Sequence, residues 1–264
     1  MQIIANTIGV VECVVRHQPI GVTEIAHLLD LPKTTVQRIL ISLEEGGWLA
    51  RARENTRKWV QTPRLWVLVH EGPGVEISDI TRAAREFLAG ETNENVHLTQ
   101  RVGDDMVVID KIESSHAVRV FDPIGTRVPL HRSASGRAML STWSADDLDE
   151  YIDRARNSGR LVSADAEVDV ERLRTELDDA AAAGVAVNYG QWRQEISGVG
   201  TPLPLDGRLN PAPYGLAVSA PSSRFSVEKV GEFSELLLRA RAMVLDTAGL
   251  TGREAAQKRL PRMN

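Results

Sequence analysis

Val22-Thr23-Glu24-Ile25-Ala26-His27-Leu28-Leu29-Asp30-Leu31-Pro32-Lys33-Thr34-Thr35-Val36-Gln37-Arg38-Ile39-Leu40 decides the fold of the first part of the chain. Thr23 is placed to cap a helix over 24–29, because its hydroxyl can accept an unpaired backbone N–H at the helix start. Asp30-Leu31-Pro32 is a short turn, and Pro32 suits the first turn of the next helix, where its missing N–H costs nothing. That next helix is expected over 33–45. Val36, Ile39, Leu40 and Leu43 stand at i, i+3, i+4 and i+7 and form one buried stripe. The opposite face carries Thr34, Gln37, Arg38 and Ile41, and Gly46-Gly47 ends the helix.

Around this pair the pattern extends both ways. Ile4, Ile8, Val11 and Val15 recur at helical spacing over 4–16 and predict an inward stripe. After the glycines, 48–51 and 58–61 read as two strands joined by the turn Glu54-Asn55-Thr56. Two short helices, a tight turn and a basic hairpin are the parts of a winged helix-turn-helix. A major groove ~12 Å wide admits one helix that shows polar groups outward and keeps an apolar face for its own core. Gln37 and Arg38 are long enough to reach base edges, Gln pairing with adenine and Arg with guanine. Thr34 and Thr35 can reach phosphate or a thymine methyl, and Lys33 can neutralise a phosphate. Thr23 joins this set, and Arg51, Arg53, Arg57 and Lys58 on the hairpin would follow the backbone or enter the minor groove. The alternative for the same fold is a structural or dimerisation module that never meets DNA.

Charge supports the first reading locally. The formal net charge is −5, which by itself argues against a generic nucleic-acid binder. Residues 33–64, however, hold seven basic and three acidic side chains, a basic patch inside an acidic protein. The chain of 264 residues is long enough for two domains, and at 42% hydrophobic and 25% charged it has an ordinary folded composition. A single cysteine, Cys13, allows no internal disulfide and fits a reducing cytoplasm. No stretch approaches the ~20 apolar residues that cross a bilayer. Residues 1–15 lack a basic leader and a cleavage site, so a cytoplasmic protein is expected.

Glu71-Gly72-Pro73-Gly74 marks a break. We divide the chain into a winged helix-turn-helix domain over 1–63, a linker helix over 64–75 and a larger domain over 76–264. In the larger part, helices are expected over 80–90, 133–142, 146–152, 168–183 and 227–245. Strands are expected over 96–101, 106–112, 118–121, 185–188, 198–205 and 214–220. The mixture without strict alternation indicates an α+β domain with a mainly antiparallel sheet.

Several of these words resemble the IclR (isocitrate lyase regulator) family of bacterial transcription factors. Val22-Thr23-Glu24-Ile25-Ala26 and 31–40 resemble its helix-turn-helix. Asn95-Val96-His97-Leu98, 125–131, 133–138, Gly184-Val185-Ala186-Val187, Val199-Gly200-Thr201-Pro202-Leu203 and 216–221 resemble its later motifs, in the same order and over nearly the whole chain. The resemblance implies a GAF-like effector domain and a homodimer or dimer of dimers on a palindromic double-stranded operator. It also implies a small acid or aromatic compound as effector; separately, no cofactor is expected and the residues show no catalytic set.

Ser133-Ala134-Ser135-Gly136-Arg137 opens a helix, whose free N–H groups suit a carboxylate; ordinary capping by Ser133 or Ser135 is the plainer alternative. The resemblance places the effector at Ala134, Ser135 and Gly136, and by the same position-by-position reading at Asn188, Gly198, Ala217 and Ser219, with Val120 as an apolar wall. Asn188 replaces a common acid, Gly198 a common cysteine and Ala217 a common serine. The expected pocket is therefore less acidic and roomier than that of small keto-acid sensors, suited to an aromatic or larger carboxylic acid.

Other signals are weaker. Gly198-Val199-Gly200 lacks the third glycine of a nucleotide-binding run. The six histidines show no i, i+4 pair, and His97 with His131 would have to converge in space to bind metal. Trp48, Trp59 and Trp66 are expected to pack the hairpin and linker. An enzyme with an N-terminal targeting module, and an oligomeric scaffold without DNA binding, are the competing functions; no catalytic constellation is legible for the former.

Overall fold

The computed structural model describes residues 2–71, 74–162, 168–205 and 212–250, with side chains at all of these except 66, 69–71 and 74–76. The chain divides into two compact units, the first ending at Glu76 and the second beginning at Ile77. The Trp66 side chain, and Gly72 and Pro73 of the expected break, lie outside what is described.

The first unit runs α1 (Gln2–His17), β1 (Ile20–Gly21), α2 (Val22–Leu28), α3 (Lys33–Glu45), β2 (Leu49–Arg51), β3 (Lys58–Gln61) and α4 (Pro63–Glu71). Its antiparallel sheet has the order β1-β3-β2. Val36, Ile39 and Leu40 of α3 are buried with Ile25, Ala26, Leu49 and Trp59, and Trp48 packs at the edge of this core. The 3.6-residue period thus sorted α3 correctly. It did not sort α1. There Val10, Cys13 and Val14 are buried, while Ile4 is 64%, Ile8 54% and Val15 40% exposed. Apolar residues occupy much of that helix's circumference, so spacing alone could not choose the inner face.

Thr23 is not a cap. Helix α2 begins two residues earlier, with Gly21 at the N-cap, and the Glu24 carboxylate accepts the Gly21 N–H at 2.8 Å. The strand β1 was not expected, because two residues are too few to show alternation.

The second unit begins within α5 (Gly74–Thr92) and continues through β4 (Asn95–Val102), β5 (Asp105–Ile112), β6 (Arg127–Pro129), α6 (Ala134–Leu140), α7 (Ala145–Asn157), α8 (Val170–Ala183), β7 (Ala186–Tyr189), β8 (Ile196–Leu203), β9 (Tyr214–Pro221) and α9 (Val227–Thr247). One antiparallel sheet has the order β6-β5-β4-β9-β8-β7. Period-two alternation divides its side chains between two faces. Val96, Leu98, Val199, Leu203, Leu216 and Val218 pack against α5 and α9. Met106, Val108 and Val128 pack on the other side with residues of α6, α7 and α8. The same alternation turns His97, Thr99, Gly198, Ala217 and Ser219 toward the α6 side.

Two expectations change here. Residues 118–121 are not a strand; they belong to an irregular crossing whose carbonyls are taken by side chains, Val118 O by Arg224 at 3.0 Å and Val120 O by Asn95 Nδ2 at 2.6 Å. The three-residue β6 completes the sheet edge instead, paired with β5.

Candidate nucleic-acid interface and ligand cavity

The α3 helix presents Lys33, Thr34, Gln37 and Arg38 to solvent, with Thr35 half-buried. This follows from the buried stripe: once Val36, Ile39 and Leu40 face the core, Gln37 and Arg38 must face away. Ile41 shares that outer face at 38% exposure. Thr23 is exposed on α2.

The hairpin bases divide into two kinds. Arg51 lies over the Trp59 ring at 3.7 Å, reaches Glu44 at 3.6 Å and donates to Thr56 O at 3.2 Å. Lys58 stands 4.0 Å from Glu24. These two help hold the hairpin to the helices. Arg53 and Arg57 at the tip are exposed, and among the described residues no carboxylate lies within ion-pair distance of them, nor of Lys33 or Arg38. Four cations without a carboxylate on one unit are what a phosphate backbone would engage.

In the second unit a cavity of about 50 Å³ lies between the sheet and the start of α6. Strand register builds its floor: Asn188 pairs with Gly198, Gly198 with Ser219, and Ala217 with His97. Ala134, Ser135, Asn188, Gly198, Ala217 and Ser219 all line it, as do Met106, Val108 and Val128. Val120 and Gly136 do not. Val120 is buried elsewhere beside Asn95. Gly136 is required for a different reason: a Cβ there would stand 2.3 Å from Leu130 O, inside the backbone rather than toward a ligand.

The helix start is also already served. Ser133 Oγ accepts the Gly136 N–H at 3.0 Å, so Ser133 is the cap. Strand β8 packs onto the start of α6 at Gly200, where a Cβ would stand 2.5 Å from Ser135 N. Asn188 is likewise engaged: its Nδ2 donates to Arg132 O and its Oδ1 accepts the Gln191 N–H at 3.2 Å.

Residues that the sequence did not single out as ligand contacts complete the site. His97, Thr99, Asp122, Arg132 and Trp192 line the cavity. Burial pushes the His97 imidazole down to about 4, with Asp122 opposing and Lys111 assisting. His97 is therefore a neutral hydrogen-bonding group near pH 7, and its Nδ1 lies 3.4 Å from Ser219 Oγ. The alternation Val96-His97-Leu98-Thr99 carried this signal. Asp122, Arg132 and Trp192 come from irregular segments that have no period. Asp122 brings a carboxylate to the cavity, and the enclosed space is small.

His131 does not join His97. Its Nδ1 contacts Tyr151 Oη at 2.6 Å, and burial, helped by Arg132 and Arg137, lowers it to about 4. Among the described residues no group of three or more His, Cys, Asp or Glu side chains is placed to hold a metal ion. No helix among them is long and apolar enough to cross a membrane.

Residues 4–53 match the IclR helix-turn-helix domain, and residues 73–245 match the bacterial transcriptional regulator IclR C-terminal domain. The HTH-type transcriptional regulator KipR of Bacillus subtilis is 27% identical over 89% of this chain and 92% of its own length. Among solved structures, the Thermotoga maritima IclR superposes with a TM-score of 0.70 at 22% identity, covering 94% of this chain and 98% of that one. An IclR homologue from Microbacterium hydrocarbonoxydans complexed with 4-hydroxybenzoate superposes with a TM-score of 0.75 at 20% identity, covering 94% and 100%.

Proposed function

This chain belongs to the IclR family of bacterial transcriptional regulators, and on that footing we propose that residues 1–63 read operator DNA while residues 76–264 bind the small organic effector that changes DNA affinity. The observation that carries the first half is the outward face of α3, with Gln37 and Arg38 exposed above a buried apolar stripe. Gln37 and Arg38 contact base edges; Lys33, Thr34 and Thr35 at the helix start, Thr23 and the hairpin cations Arg53 and Arg57 contact the backbone. Arg51 and Lys58 shape the hairpin as well as adding charge. Residues 64–75 link the two parts.

The operator is palindromic and is read by two heads, because the chain works in the cytoplasm as a homodimer or a dimer of dimers. The exposed Ile4, Ile8 and Val15 on α1 support this, since an apolar stripe of that length is stabilised when a second copy covers it.

The effector is a carboxylic acid of aromatic size, seated against Ser135, Gly198, Ala217 and Ser219. The 4-hydroxybenzoate held by the Microbacterium homologue supports this class. A cavity of about 50 Å³ holds only a few waters, so seating a ring requires the loop over 189–195 to draw back. The ligand acts by binding one arrangement of the dimer better than another.

The test is a gel shift with the DNA upstream of the chain's own gene. The Gln37→Ala/Arg38→Ala variant should lose specific binding while its circular dichroism stays native. Full operator affinity in that variant overturns the reading, and a regulator that binds DNA identically with and without every acid tried overturns the effector half.

A further inference from the structure

The cavity has a neighbour. A cleft of about 690 Å³ opens beside it, reaching from His131 past Arg137 and Arg172 to Glu195. Arg132 and Trp192 line both spaces. Asp122 faces the inner one and Arg193 the outer, and their ion pair at 2.5 Å crosses between them. Two shared side chains and one salt bridge, half-exposed on its Arg193 side, thus stand between the two spaces.

The polar groups on the two sides are unlike. Inside, His97 Nε2 and Ser135 Oγ are buried and have no hydrogen-bond partner among the described residues; the two residues are 4% and 1% exposed. Buried polar atoms without partners are rare, and each represents a contact that a ligand can supply. At the partition, Arg132 makes only long contacts to neutral acceptors, His131 Nε2 at 3.4 Å and Arg160 O at 3.3 Å. Among the described residues no carboxylate lies within ion-pair distance of it. A half-buried guanidinium whose contacts are long and neutral can exchange them for an anion, which it holds more strongly.

We propose that the cavity and the cleft are two halves of one effector site, and that its ligand is an elongated monoanion. An uncharged hydroxyl or carbonyl meets His97 and Ser135, an apolar middle passes Trp192, and a carboxylate is held by Arg132. The proposal rests on the effector reading above and adds the shape and polarity of the ligand. Entry separates Asp122 from Arg193, which leaves Arg193 facing the incoming carboxylate as well.

Calorimetric titration of the full chain tests this with four probes: 3-(4-hydroxyphenyl)propanoate, the same acid without its hydroxyl (3-phenylpropanoate), the same ring without its carboxylate (4-ethylphenol), and pyruvate. The hydroxylated acid should bind tightest, with each deletion costing about tenfold or more. Arg132→Gln should weaken both arylpropanoates about tenfold and leave 4-ethylphenol unchanged. Equal weakening of all three, no weakening, or binding of pyruvate alone overturns the proposal. Should the variant not fold, the ranking of probes on the wild-type chain decides. The underlying reading is tested separately by Ala217→Leu, which fills the inner cavity. If probes that bind the wild type bind this variant equally well, the effector does not sit there; if they fail to bind it but are indifferent to Arg132, only the two-part site fails.

Discussion

At position 136 the missing Cβ is what lets the start of α6 close over Leu130, and at 200 it lets β8 approach that same start. Gly136→Ala forces a methyl to within 2.3 Å of a carbonyl oxygen. We expect it to destabilise the chain by about 1–3 kcal/mol, as overpacking does, read as a lower urea midpoint. The histidines give a second expectation at this scale. His97 and His131 both sit near 4, against about 6.5 in an unfolded chain. The unfolded state therefore takes up protons first, so stability is full above pH 6.5 and falls as the pH drops from 6.5 toward 4. Melting temperatures should fall through that window, and His97→Gln should make the fall shallower; an unchanged slope would show that His97 does not titrate as its burial dictates.

At the scale of elements, α3 was legible because four apolar side chains at helical spacing met one polar face, and the outcome left Gln37 and Arg38 outside. Strand β4 was legible for the same reason at period two. Helix α1 was not, since its apolar residues cover too much of its surface for spacing to select a side. The irregular stretch over 113–126 was not legible either: Val118–Phe121 has strand-like composition, but the carbonyls of Val118 and Val120 go to Arg224 and Asn95 rather than to a ladder. Of the eight residues expected at the effector, six line the cavity. The charged residues there, Asp122 and Arg132, escaped because nothing in their local sequence repeats. The exposed α1 stripe carries its own prediction. Ile4→Glu with Ile8→Glu removes apolar surface that is already in water, so the isolated fold should keep its circular dichroism. Sedimentation should show smaller oligomers, and operator binding should weaken with them; unchanged mass would remove α1 from the interface.

At the scale of the molecule, charge is segregated. A chain of net charge −5 gathers cations that have no carboxylate partner among the described residues at Lys33, Arg38, Arg53 and Arg57. Association with DNA should therefore be steep in salt. Arg53→Gln with Arg57→Gln should flatten the plot of log affinity against log salt by about one unit for every phosphate that each head ceases to neutralise. Specificity for the operator over random DNA should change little if those side chains meet phosphate alone, as proposed. A slope that does not move would place the hairpin tip off the DNA. Effector coupling should follow the usual range for allosteric proteins, roughly 5- to 150-fold in operator affinity.

Where α6 meets β8 at Gly200, backbone lies on backbone with no side chain between to act as a cushion. Gly198 lines the cavity two residues upstream on the same strand, and Ser135 lines it from the helix. A guest that presses on this strand cannot be absorbed by a rotating side chain at that seam. It must carry the helix along, so even a small molecule is felt there as the shift of a whole segment.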